Sequence, residues 1–198
     1  KELGRVIDLL KQRWEFTADI EITMECNPDT LTLQSLEEYL AVGINRISMG
    51  MQSANSNVLK VLDRTHNPEN VAKSVENARL AGFENVSLDL IYGTPGETLD
   101  QWEQTVSTAL SYGVDHLSAY ALIIEDGTKL SAKIKRGEVN RPDDDLMAQM
   151  YLKVDELAER AGLPWYELSN WGRPAAHNLI YWHNQNWWGL GPGAHSHI

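Results

Sequence analysis

Polar side chains recur where runs of β-forming residues come to an end. The run "EITMECNP" delivers Glu25 and Asn27, "RISMGMQS" delivers Gln52, and "VSLDLIYG" carries Asp89 between Leu88 and Leu90. Arg64 follows soon after Gln52, and "HLSAYALIIEDGT" closes on Glu125 and Asp126. Asp89 is the sharpest of these, because an acid in an apolar strand is costly to desolvate unless it is paired or hydrogen-bonded. The plainer account is a buried Asp bonded to a neighbouring loop. Taken singly, Glu25 and Gln52 also read as solvated strand ends and Arg64 as a surface charge. Together they offer carboxylate, amide and guanidinium groups suited to a polar, zwitterionic or nucleoside-like ligand. The sequence has no Ser-His-Asp order and no His-x-x-x-His spacing, so hydrolase and zinc chemistry find no support.

A second concentration of chemistry lies in the last residues, "HNLIYWHNQNWWGLGPGAHSHI". Four of the six histidines (His177, His183, His195, His197) and three of the seven tryptophans fall there. A neutral imidazole can ligate iron, and aromatic rings can pack on a flat ligand. The competing account is an aromatic lid packed over the core, in which His177 is a hydrogen-bonded structural residue. "GLGPGAHS" reads as a tight turn with close backbone approach rather than as a phosphate loop.

Positioning these groups requires regular elements. Four stretches share one grammar, a helix end, a glycine, a short link and an apolar β-rich run, with Gly43, Gly82, Gly113 and Gly162 in the glycine place. Glycine there supplies the left-handed helix cap. Leu33, Leu36 and Leu40 share a helical face over 32–42. Asn67-Pro68-Glu69 opens the next long helix as cap, first-turn proline and dipole-matched acid. Thr98 and Gln101 form a capping box ahead of Trp102, Val106 and Leu110. The Asp143, Asp144, Asp145 cluster opens a helix carrying Leu146, Met150, Val154, Leu157 and Ala161. Leu3, Val6, Leu9 and Leu10 predict an amphipathic helix at the start. Strands are predicted at 20–24, 46–51, 86–92, 116–122 and 165–168. The apolar run 119–124 is expected to be buried strand.

Alternating strands and helices signal parallel βα units. An open doubly wound sheet and a βα-barrel both satisfy that pattern. The Gly-x-Gly-x-x-Gly fingerprint after the first strand is absent, which favours a barrel or partial barrel. In such barrels chemistry sits at the C-terminal strand ends. The stretch 127–145 is expected to be an excursion from the barrel.

The 198 residues suffice for one sizeable core. A net charge of −11 argues against a nucleic-acid or anionic-membrane surface, since both reward clustered Lys and Arg. No apolar run approaches the length of a bilayer span. The single cysteine, Cys26, allows no internal disulfide, which suits a reducing, cytoplasmic setting, and it cannot form a Cys-rich metal cluster. The chain opens on Lys1, inside an amphipathic pattern, and ends shortly after a glycine turn. It reads as a piece of a longer protein.

The ordered set "ITMECNPDT", "GINRISMGMQS", Leu62-Asp63-Arg64 with His66, "NVSLDLIYGTPGET", "HLSAYALIIEDGT", "YELSNW", "HNLIYW" and "GLGPGAHS" resembles the anaerobic coproporphyrinogen III oxidase-like branch of the radical S-adenosylmethionine (SAM) proteins. Within it the sequence is most similar to haem chaperones of the HemW type. The resemblance runs over almost the whole chain. It implies an α/β fold, an incomplete (β/α) barrel of parallel strands with outer helices, with 1–198 a piece of one barrel domain and 165–198 an aromatic, His-rich closing segment. It implies SAM contacts at Glu25, Gln52, Arg64, Asp89 and Ile123, and a 4Fe–4S cluster whose three cysteines would precede Lys1. Cys26 then stands as a small buried side chain, with a free reactive thiol as the lesser option, and the piece alone should be catalytically inactive.

Two functions from different classes follow from the resemblance. One is a radical SAM oxidase that decarboxylates porphyrinogen propionates in porphyrin biosynthesis. The other is a carrier that binds haem and delivers it to an acceptor protein, a respiratory one among the options, with peripheral membrane association left open. His177-Asn178 with Tyr181-Trp182 resembles the His-Asn-x-x-Tyr-Trp motif associated with haem binding, from which the oxidases differ. This implies His177 as the haem-iron ligand with Asn178 and Tyr181 in support, and favours the carrier. A purely structural βα scaffold would leave the strand-end acids unexplained.

Overall fold

The computed structural model describes residues 2–64 and 67–198. His66, part of one matching run, and Lys1 lie outside the described residues. Four parallel strands form the centre: β1 (Thr23–Cys26), β2 (Arg46–Gln52), β3 (Val86–Tyr92) and β4 (His116–Ala121), paired in that order. Outside them pack α2 (Leu33–Ala41), α4 (Pro68–Ala81), α5 (Leu99–Ser111) and α7 (Asp144–Arg160). The shorter α3 (Ser56–Val61) follows β2, and α6 (Lys129–Lys135) lies within the expected excursion.

The two faces of this sheet differ in chemistry. Ile47, Met49, Met51, Val86, Leu88, Leu90, Leu117 and Ala119 are buried in the core beneath the helices. Their alternates include Arg46, Ser48, Gln52, Asp89, Ser118 and Tyr120, which line a cavity. A doubly wound sheet is covered by helices on both faces and its strands read apolar throughout. Alternation in parallel strands therefore marks a partial barrel whose concave side is polar.

Local signals act where the sequence places them. Asn67, Thr98 and Asp143 cap α4, α5 and α7, and the Thr98–Gln101 capping box is formed. Gly43, Gly82, Gly113 and Gly162 all have positive φ. Trp102 is fully buried, and its indole N–H reaches the Met150 carbonyl at 2.8 Å, tying α5 to α7.

Several expectations are corrected. In α1 (Glu2–Arg13) Ile7 is buried, whereas Leu3, Val6 and Leu9 are exposed. The contact runs through Gly4, which sits close against Val42, and so rotates the packed face away from the leucines. The first strand begins at Thr23, not at residue 20. Ahead of it the Asn45 side chain bonds Ile22 N and the Ile20 carbonyl, replacing backbone partners. The run 119–124 leaves the sheet after Ala121, and Ile123 is 74% exposed.

The sheet is not wholly parallel. β5 (Trp165–Glu167) does not pair with β4; instead β6 (Asn170–Gly172) inserts antiparallel between them. Two residues link β5 to β6, which permits a hairpin and forbids a parallel crossover. Gly172 ends this return at φ 97°, where a Cβ would meet the Asp115 carbonyl oxygen at 2.3 Å. Trp171 fills the core from β6 and donates to Asp155 Oδ1 at 2.9 Å.

Candidate functional site

β1, β2 and β3 turn Glu25, Ser48, Gln52 and Asp89 onto common ground. These four line both of two adjoining recesses, of about 530 and 350 Å³. Arg64 lines the smaller, with Cys26, Asn27 and Asp63. Ile123, His177 and Asn178 line the larger, with Arg46, His116, Ser118, Tyr120, Tyr166 and Asn170. The structure thus brings seven of the eight sequence-predicted residues to two connected recesses. Tyr181 lies outside their lining and touches His177. Glu125 and Asp126 are exposed; Asp126 pairs with Lys135 at 2.8 Å, so it serves the α6 excursion.

Gln52 is held unusually. Its φ is 62°, a left-handed conformation uncommon for a residue with a side chain, at an irregularity in the β2–β3 register. Its amide folds back over Gly50, where a Cβ would meet Nε2 at 2.7 Å. Such strain persists where surrounding structure fixes it, and it clusters at ligand sites. Asp63, beside Arg64, also has positive φ, 55°.

Asp89 is partly buried on the cavity floor. Burial pushes its pKa up; hydrogen bonds from Ser118 and Ser48 oppose that, the Glu25 charge adds to it, and Arg46 opposes it. The Ser48 hydroxyl spans both carboxylate oxygens at 3.1 and 3.0 Å. His116 is buried, and burial followed by the Arg46 charge lowers its pKa to about 3, so its ring is neutral. It bridges Ser87 Oγ at 2.7 Å and the Tyr166 hydroxyl at 2.9 Å. Tyr166 accepts from Asn178 Nδ2 at 3.4 Å and Ala175 N at 3.3 Å, and Asn178 also donates to Glu167 at 3.0 Å.

This network fastens α8 (Ala176–Trp182) to the sheet. The helix has Ala175 at its cap position and no side-chain cap of its own. Glu21, ahead of β1, supplies one, accepting Ala176 N at 3.1 Å and His177 N at 3.2 Å. His177 and Tyr181 are exposed one turn apart, with Nε2 2.7 Å from the hydroxyl. Tyr181 packs edge-on against Trp187, which stacks on His197.

Sequence reasoning missed Arg46, Ser48, His116, Ser118, Tyr166 and Glu21. The first four were signalled: they alternate with apolar core residues, on the face that carries Gln52 and Asp89. Tyr166 and Glu21 act across the hairpin and across the chain, which no local pattern announces.

Cys26 is partly buried, and burial with the Glu25 charge pushes its thiol up to about 11. Among the described residues no group of three His, Cys, Asp or Glu side chains is placed to hold a metal ion. One protonated thiol does not fit a three-cysteine cluster set.

The radical SAM superfamily model matches residues 1–109. The chain belongs to the radical SAM superfamily. Among members of this superfamily with solved structures, Escherichia coli coproporphyrinogen III oxidase HemN superposes with a TM-score of 0.82 at 24% identity, covering 99% of this chain and 48% of that one. This likeness shows the partial-barrel fold. The heme chaperone HemW of Mycobacterium tuberculosis is 44% identical over 201 residues, covering 100% of this chain and 52% of that protein. HemW of Bacillus subtilis is 37% identical, covering 100% and 53%. Mouse mitochondrial radical S-adenosyl methionine domain-containing protein 1 is 37% identical, covering 98% and 44%. The radical SAM chain described here therefore spans about half the length of the relatives it matches.

Proposed function

We propose that the protein carrying this chain is a haem chaperone: it binds haem and passes it to an acceptor protein. The observation that carries this reading is the placement of His177 and Asn178 in the wall of the recess whose floor holds Glu25, Gln52 and Asp89. Similarity to chaperones named HemW over the whole chain supports it. In this reading His177 offers an imidazole nitrogen to haem iron, Asn178 fastens α8 to Tyr166 and Glu167, and Tyr181 holds the His177 ring. Residues 165–198 act as the closing segment of one barrel domain.

SAM fits the same cavity chemically. Glu25 and Asp89 provide acceptors for hydroxyl and ammonium groups, Gln52 a two-way amide, and Arg64 a partner for a carboxylate. Ile123 supplies an apolar contact at the rim. The acceptor is proposed as a respiratory haem-accepting protein, and the setting as cytoplasmic. Among the described residues no helix is long and apolar enough to cross a membrane.

A haem titration followed at the Soret band tests the reading, run beside an anaerobic porphyrinogen decarboxylation assay. Wild type is expected to bind haem and His177→Ala to lose most of that binding, with no decarboxylation. Porphyrinogen turnover would replace the chaperone with the oxidase. Equal binding by His177→Ala would move the ligand elsewhere, His183 first.

A further inference from the structure

Arg46 is 6% exposed, lines the larger recess, and has its Nε buried with no hydrogen-bond partner among the described residues. It begins β2 on the cavity-facing side, opposite Thr23 of β1. Asp89 and His116 feel its charge, but neither bonds it. A buried guanidinium with an unpaired N–H is costly, and the Asp89 charge offsets that cost without a hydrogen bond, so replacing the group need not destabilise the fold. Structure alone gives no return on this arrangement. The remaining lining explains what would. The acids Glu25 and Asp89 and the neutral His116, Ser118, Tyr120 and Asn170 share the recess, and among its described lining residues Arg46 is the one permanently positive group. Its planar fork matches a carboxylate through two parallel N–H···O bonds.

We propose that Arg46 is the anchor for a carboxylate of the ligand held in the larger recess. This rests on the haem reading above for its first source, a haem propionate. The second source of the same chemistry is the methionyl carboxylate of SAM. The propionate is favoured because Arg46 shares its recess with His177 and Asn178, whereas Arg64, the other guanidinium, lines the smaller one.

The experiment uses the full-length protein and its Arg46→Gln and Arg46→Met variants. Each is titrated with haem, with haem dimethyl ester, whose propionates are capped, and with SAM by calorimetry. Melting of the ligand-free proteins is recorded alongside. Wild type is expected to prefer haem to its diester by tenfold or more. Both variants should lose that preference, bind the diester as wild type does, keep SAM affinity, and melt no lower than wild type. A tenfold loss of SAM affinity with haem binding unchanged would support the anchor and assign it the methionyl carboxylate. Three results overturn the proposal: variants that match wild type for both haem and SAM, a wild type indifferent to esterification with SAM binding unaltered in the variants, or variants that melt lower and lose haem and diester equally. Failure of wild type to bind haem defeats the chaperone reading separately, and the anchor then stands or falls on the SAM arm.

Discussion

The Tyr181 hydroxyl lies 2.7 Å from His177 Nε2, one helical turn away, and the two rings meet edge-on. With Nε2 engaged, Nδ1 is the nitrogen left for iron. A ligating histidine is commonly held by a hydrogen bond at its other nitrogen, and loss of that partner costs tenfold to a hundredfold in affinity. Tyr181→Phe is therefore expected to weaken haem binding by about tenfold while keeping the edge-on contact with Trp187. Soret titration of this variant beside His177→Ala measures it. Unchanged affinity would reduce Tyr181 to a packing contact.

Asp89 makes a prediction with two readouts. Asp89→Asn removes a charged acceptor from a partly buried site, a loss of about 1.5–3 kcal/mol, or roughly tenfold to a hundredfold in SAM affinity. Burial raises the Asp89 pKa, so the carboxylate gains its proton at a pH above the ordinary aspartate value. Wild-type affinity should fall as pH drops through that raised value, and the Asn variant should lack the fall. Since the ionised form is the desolvated one, the variant should melt no lower at neutral pH. Calorimetry across pH gives the first result and a melting curve the second; SAM affinity unaltered by Asp89→Asn would remove Asp89 from the site.

How much of this was legible beforehand follows from the range of each signal. Caps and glycines act within one turn, and Asn67, Thr98, Asp143 and Gly82 did what their neighbours implied. The strand-end rule needed only the order of elements, and it assembled Glu25, Gln52 and Asp89. Arg46 was overlooked because a charge at a strand start reads as solvated until a neighbouring strand is laid beside it. The antiparallel β6 was hidden for a similar reason. Asn170-Trp171-Gly172 is too short to show a period, and its partner His116 lies more than fifty residues earlier. The α1 face was misjudged because Gly4, not a leucine, sets the approach to Val42.

Two buried groups should give stability opposite pH dependences. Glu97, in the loop after β3, is 4% exposed and burial raises its pKa from 4.5 to about 7. Between these values the unfolded chain ionises first, so stability falls as pH rises from about 4.5 to 7. His116 has its pKa lowered from 6.5 to about 3. There the unfolded chain takes the proton first, so stability falls as pH drops from about 6.5 to 3. The effects oppose between about pH 4.5 and 6.5. Glu97→Gln should leave the His116 slope opposed only by the smaller limb from Asp89, and raise stability at pH 8 by on the order of 3 kcal/mol, roughly 6–12 °C in Tm. His116→Gln should expose the reverse slope. Melting curves at pH 4, 6 and 8 for the three proteins decide it, and parallel profiles would refute both assignments.

The contact between Glu21 and α8 yields a prediction about the platform beneath His177. Helix starts leave N–H groups without intrahelical partners, and Ala175 cannot serve them. Glu21 reaches two of them from more than 150 positions away in sequence, and its charge also suits the positive end of the helix. Loss of such a cap costs about 1 kcal/mol. α8 has no fully buried residue, so the cost should be felt locally rather than across the fold. Glu21→Ala is expected to speed amide exchange at Ala176 and His177 by about fivefold, with Tm moving by no more than a few degrees. Glu21→Gln keeps an acceptor oxygen and should exchange more slowly than the Ala variant. If His177 is the iron ligand, Glu21→Ala should also shorten the haem residence time, because the imidazole is then carried on a fraying helix start. Site-resolved hydrogen exchange and a haem dissociation rate provide the two measurements. Unchanged protection at both amides in Glu21→Ala would show that α8 is held by the Tyr166–Asn178–Glu167 bonds alone.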